Sequence, residues 1–183
     1  MKTYPMIPQL SRLLSKSTIY LGIDPGAMGG LAVLYPSLPL PQQLAIRTTA
    51  KVSLGELRDW LAEHACPVES CLAVLEKVHA FPGQGVTSMF SFGENYGRLQ
   101  GLLTALRIPY ELAPPETWQK ALGIPRRGRG ESKADFKRRL ADHASRLFPS
   151  TEIPRAAADA VLLAEYARRQ REGTKTVSAA EGG

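Results

Sequence analysis

Two apolar runs, Ile19-Tyr20-Leu21-Gly22-Ile23 and Leu31-Ala32-Val33-Leu34, flank a glycine-rich break that begins at Asp24-Pro25-Gly26. β-rich runs joined by Pro-Gly turn chemistry predict an antiparallel hairpin, with Asp24 at the end of a central strand. Residues 43–48 predict a third strand, and residues 53–65 a helix whose Ser53 cap is answered by Glu56 in a capping box. The apolar run 71–78 reads as a buried strand. Residues 92–106 follow as a helix with Tyr96, Leu99, Leu102, Leu103 and Leu106 among its apolar positions. Residues 110–113 form a short strand closed by Pro114-Pro115, and 116–122, 133–148 and 156–170 complete the pattern as helices. A strand meander that gives way to alternating strands and helices predicts an α/β fold, a five-stranded mixed sheet flanked by helices.

The first 17 residues have no clear period and read as an N-terminal extension, and residues 171–183 are small and polar, a disordered tail. Residues 18–170 are left as one domain, in keeping with a chain of 183 residues that is 44% hydrophobic and 22% charged. Cys66 and Cys71 have no histidine pair at matching spacing, which argues against zinc and for free or packing thiols. Neither a signal or transit peptide nor an apolar run of membrane-spanning length is evident, so a cytoplasmic bacterial or phage protein, with no membrane partner, is expected.

Charge changes this picture. A net charge of +6 points to a polyanionic partner. Arg126, Arg127, Arg129, Lys133, Lys137, Arg138 and Arg139 put seven cations within fourteen residues, either a phosphate-binding strip or a solvated helix face after a flexible loop. Three carboxylates stand out because their neighbours are apolar or small. Asp24 ends its strand, where it either caps the turn or binds a cation. Glu76 lies in the buried-type strand Leu72-Ala73-Val74-Leu75-Glu76, where an unpaired charge costs several kcal/mol and calls for a partner. Asp159 sits among alanines on a helix face suited to packing on the sheet. Three such groups share a small space as anions only with cations present. All-oxygen ligands favour Mg²⁺ or Mn²⁺, and two ions about 4 Å apart suit phosphodiester cleavage.

Gly22-Ile23-Asp24-Pro25-Gly26, Leu75-Glu76-Lys77-Val78-His79, Gly93-Glu94-Asn95-Tyr96-Gly97-Arg98-Leu99-Gln100-Gly101 and Ala158-Asp159-Ala160 occur in the order found in RuvC-type Holliday junction resolvases, which this chain resembles. Pro82-Gly83-Gln84-Gly85, the stretch from Pro114 to Trp118-Gln119-Lys120, and Leu147-Phe148-Pro149 bring it nearest to the phage and chloroplast branch. The resemblance implies an RNase H-like fold, a homodimer, and Mg²⁺-dependent symmetrical nicking of four-way DNA junctions with two ions per site. It makes Asp24, Glu76 and Asp159 the metal ligands and Lys133 a catalytic lysine near the scissile phosphate. Lys77, Lys120, Arg126, Arg127, Arg129 and Lys137 are expected on the DNA backbone, where each loss lowers affinity and its salt dependence. Phe81 is a candidate to stack on a base and Gln84 to read a base edge, with core packing the alternative for Phe81. Gly93, Gly97 and Gly101 share a helix face that serves either a dimer seam or a close helix-to-sheet contact within one chain. Trp118 reads as structural.

One position departs from the pattern. Where the family places an acidic residue or a His shortly before the final Asp, this chain has Ala156, with Glu152 and His143 the nearby alternatives. A junction-binding protein with impaired catalysis, and an RNase H-like nuclease acting on another nucleic acid, are therefore the competing expectations.

Overall fold

Side chains on a strand alternate between faces, and this alternation decides which way each acidic residue points. The computed structural model describes residues 18–39, 42–50, 52–65, 67–79 and 85–180. Strand β1 (Ile19–Asp24) sends Ile19, Leu21 and Ile23 to one face and Tyr20 to the other, together with the positions of Gly22 and Asp24. β2 (Gly30–Leu34) pairs antiparallel with β1, and β3 (Leu44–Thr48) antiparallel with β2. β4 (Cys71–Glu76) and β5 (Tyr110–Ala113) add in parallel on the other side, in the order β3-β2-β1-β4-β5. This is the five-stranded mixed sheet expected, with its first three strands antiparallel.

Helices cover both faces. Helices α1 (Leu54–His64) and α2 (Val86–Ala105) pack Leu57, Leu61, Leu99 and Leu103 on the face of Leu21 and Ile23. The opposite face carries α3 (Pro115–Ala121), α4 (Lys133–Leu147) and α5 (Ala158–Ala180), with Trp118, Leu140, Val161 and Leu162 around Tyr20 and Val74. The capping box at α1 is formed: Glu56 N–H donates to Ser53 Oγ (3.2 Å) and Ser53 N–H to Glu56 Oε2 (2.9 Å). Ser132 caps α4 through its side chain alone, accepting from Asp135 N–H at 3.0 Å.

Gly22 allows α5 to lie directly on β1. A Cβ there would stand 2.0 Å from the Ala160 carbonyl oxygen and 2.4 Å from the Ala164 nitrogen. At the next strand Gly30 meets Ala157 with equal economy, a Cβ falling 3.0 Å from its Cα. These close approaches bring the start of α5 to the ends of β1 and β2.

Two helix limits differ from the sequence reading. Helix α2 begins at Val86 rather than Phe92, because its first turns are solvent-facing, with Val86 84% and Phe90 73% exposed, and carry no apolar periodicity. Helix α5 continues past Gln170 to Ala180, with Arg168 pairing back to buried Glu165 and forward to Glu172, pairs that support a helix without an apolar stripe.

Candidate active site

Asp24 and Glu76 end two adjacent parallel strands. Ile23 is in register with Leu75, so the two carboxylates occupy the next positions, on the face covered by α5. Asp159, in the first turn of α5, approaches from above. Asp24 is 8% exposed and Asp159 4%. The structure thus brings together the three acids singled out from sequence, two from strand ends and one from the helix lying across them.

Asp24 shapes its turn and at the same time faces an ammonium. Its Oδ1 accepts the Gly26 N–H at 2.9 Å and fixes the turn, while Oδ2 faces the Lys137 ammonium at 4.0 Å. Gly29 N–H to Gly26 O (2.8 Å) and Asn95 Nδ2–H to Pro25 O (2.8 Å) hold the same turn from within and from α2. Asn95 lies in one of the resemblance motifs, yet its structural task is visible only in three dimensions.

The partner that Glu76 required is Trp118. This fully buried indole donates from Nε1 to Glu76 Oε1 at 3.1 Å, so a residue read as structural also orients an acid of the site. Lys137 forms a close ion pair with Asp159 Oδ2, whereas Asp159 Oδ1 is buried without a hydrogen-bond partner among the described residues. An unsatisfied buried carboxylate oxygen is costly and marks a place for a cation or a bound water.

The electrostatics follow from this crowding. Burial, then the charge of Asp159, raises the Asp24 pKa against the pull of Lys137 and the Gly26 N–H. Burial, then Asp24 and Asp159, pushes Glu76 up to about 8, despite the Trp118 hydrogen bond and Lys137. Burial works against the Lys137 ammonium, but Asp159 and Asp24 outweigh it and hold its pKa above the ordinary value. A cluster of this kind gains from added positive charge.

Lys133 and Lys137, one turn apart on α4, line a cleft of ≈ 530 Å³ with Asp24, Met28, Arg155 and Ala156. Ala156 places a methyl group there and offers no donor. His143 and Glu152 do not line this cleft and supply no substitute. Among the described residues, no group of three or more His, Cys, Asp or Glu side chains is placed, in this arrangement, so that it could hold a metal ion.

The cationic strip divides in two. Arg138 pairs with Asp135, and Arg139 pairs with Glu131 while donating to the carbonyls of Pro125 (3.0 Å) and Arg126 (3.3 Å). Arg139 and Glu131 thereby clamp the loop, and Gly128 N–H donates to Glu131 Oε2 at 3.0 Å. Arg126, Arg127, Arg129 and Lys133 are exposed, as are Lys120 on α3 and Lys77 beyond β4. Phe81 and Gln84 lie outside the described residues. Gly93, Gly97 and Gly101 are exposed, and among the described residues a Cβ on any of them would meet nothing within 4 Å. Close packing within the chain therefore does not account for their spacing.

A search of solved structures returns RuvC of Thermus thermophilus in complex with a Holliday junction substrate, at TM-score 0.56 and 18% identity, covering 86% of this chain and 98% of that one. The fold is RuvC-like. A second Thermus thermophilus RuvC structure matches at TM-score 0.56 and 20% identity over the same shares. The mixed sheet, with its first three strands antiparallel and α5 across its centre, is the RNase H-like arrangement. At these identities the likeness is one of fold, and it does not single out the phage and chloroplast branch. No protein-family model and no curated protein matches the sequence.

Proposed function

We propose that this chain is a divalent-metal-dependent nuclease that nicks four-way DNA junctions. The observation that carries the reading is the meeting of Asp24, Glu76 and Asp159 at the ends of two parallel strands and one helix, beside exposed cations, on a fold shared with a junction-bound RuvC. The donors suit Mg²⁺ or Mn²⁺: all are carboxylate oxygens, two of the acids are nearly fully buried, and Asp159 Oδ1 has no hydrogen-bond partner among the described residues. When bound, such an ion supplies Lewis-acid chemistry, neutralising phosphate charge and lowering the pKa of water.

The chain's own groups do the rest. Gly26 and Trp118 fix the orientation of Asp24 and Glu76 before any ligand arrives. Lys133, exposed at the mouth of the cleft, is placed to meet a phosphate oxygen and offset charge as the phosphodiester breaks. Arg126, Arg127 and Arg129, presented by a loop clamped through Arg139, are suited to the DNA backbone, with Lys120 beside Arg126 and exposed Lys77 beyond β4 as further contacts.

A homodimer accords with the α2 surface. Val86, Phe90, Gly93, Gly97 and Gly101 follow one helix face, and the open glycines leave room for a second backbone to come close. Two sites related by a two-fold axis would act on opposite strands of a two-fold junction.

Ala156 favours a second reading, in which the chain binds junctions and cuts slowly or not at all. Incubating the protein with synthetic four-way junctions, linear duplex and RNA–DNA hybrid in Mg²⁺ or Mn²⁺ separates these. Symmetrically paired nicks in the junction are expected. Tight junction binding without cuts, with cutting restored by Ala156→Asp, would support the silent binder; preference for the hybrid would contradict the junction reading.

A further inference from the structure

We propose that the Lys137 ammonium is a built-in cation of the carboxylate site, so that the site takes one divalent ion where two were expected. This rests on the metal-dependent reading above and alters its stoichiometry.

Position is the first support. The ammonium is in a close ion pair with Asp159 Oδ2 and lies 4.0 Å from Asp24 Oδ2, in the gap between a strand-end acid and a helix-start acid. A second metal ion bridging those two oxygens would have to occupy the same volume. Across the cleft, the residue that would have to help hold such an ion is Ala156, which has no donor atom.

Charge is the second. Asp24, Glu76 and Asp159 carry three negative charges when ionised. Lys137 cancels one, leaving two, which a single divalent ion neutralises. A second divalent ion would leave the buried cluster two charges positive, an arrangement that low-polarity surroundings oppose strongly.

The remaining donors leave room for one ion at most. Glu76 Oε1 is taken by Trp118, and among the described residues its other oxygen has no hydrogen-bond partner. It sits on the strand beside Asp24, and Asp159 Oδ1 is a further acid oxygen without a hydrogen-bond partner among the described residues. Lys133, one turn before Lys137, is exposed and forms no ion pair among the described residues, so Lys137 alone on α4 is committed to the acids. An ordinary surface salt bridge would not draw an ammonium toward two acids this deeply buried.

Titration calorimetry of the full chain with Mn²⁺, read with electron paramagnetic resonance of the bound ion, tests this. The native chain is expected to take one Mn²⁺ with an uncoupled six-line spectrum. Lys137→Met should bind that ion at least about tenfold more tightly, because one positive charge has left the cluster. Lys137→Arg should keep the native affinity. The double variant Lys137→Met, Ala156→Asp should take two ions and show spin coupling. Circular dichroism melts establish that each variant is folded. Two coupled ions in the native chain, or Lys137→Met with native affinity and stoichiometry, would overturn the role of Lys137 and leave the nuclease reading standing. No Mn²⁺ bound to the native chain or any variant would overturn the metal site itself.

Discussion

Asp24 shows how one carboxylate serves two needs: Oδ1 closes the turn through Gly26 and Oδ2 faces the ammonium of Lys137. The three acids were legible in the sequence because a charge inside an apolar run demands an explanation. Lys137 was not legible as their partner. It is one of seven clustered cations, and what distinguishes it is a contact with residues far away in the chain. Trp118 was hidden for the same reason, since its bond to Glu76 joins distant segments. Trp118→Phe removes that bond, and a folded variant is expected to be about 1–3 kcal/mol less stable. It should also bind Mn²⁺ several-fold more weakly near pH 7, with the difference narrowing as pH rises, which calorimetry at two pH values measures. A purely structural role would lower stability without that pH dependence.

Glu76 carries a second consequence. Its folded pKa, about 8, lies above the ordinary 4.5, so the folded metal-free protein holds a proton there that the unfolded chain releases between those values. The stability it contributes is full below about 4.5 and is lost as pH rises through about 8. His64, whose pKa burial lowers, acts in the opposite sense near pH 6.5, and the Glu76→Gln variant separates the two. In EDTA, Tm is expected to fall by about 5 °C or more between pH 5.5 and 8.5 in the native chain relative to Glu76→Gln, and saturating Mg²⁺ should remove most of the difference. Equal profiles for the two proteins would contradict this.

At the scale of elements, the strand and helix order followed from period and punctuation, and Ser53 with Glu56 located the start of α1. Apolar pattern failed at the exposed first turns of α2 and at the ion-paired stretch of α5 around Arg168, which are helical for reasons no hydrophobic stripe records. The element contact that matters most is α5 on β1, since it delivers Asp159 to Asp24. Gly22 makes it possible. Gly22→Ala sets a methyl 2.0 Å from a helix carbonyl that cannot move alone. A loss of about 3 kcal/mol or more is expected in chemical denaturation, or failure to fold, whereas Gly97→Ala, in open space, should be neutral or mildly stabilising in the monomer.

For the whole molecule, the sheet holds Asp24 and Glu76 at one end while α4 brings Lys133 and Lys137 over them, so one cleft is lined by Asp24 together with Lys133, Lys137 and Arg155. The exposed α2 face extends the account to assembly. Phe90→Glu, at a position 73% exposed, should leave the fold intact and convert a dimer to monomers in sedimentation velocity. A native chain that is monomeric at micromolar concentration would remove the dimer from the proposal. The carboxylates around Asp24 are proposed to cut junction DNA. The most direct measurement is cleavage of a synthetic four-way junction in Mg²⁺ or Mn²⁺ by the native chain and by Asp24→Asn. The expected result is paired nicks from the native chain and a loss of at least about 100-fold in Asp24→Asn with junction binding retained. Cleavage by Asp24→Asn at the native rate would contradict it.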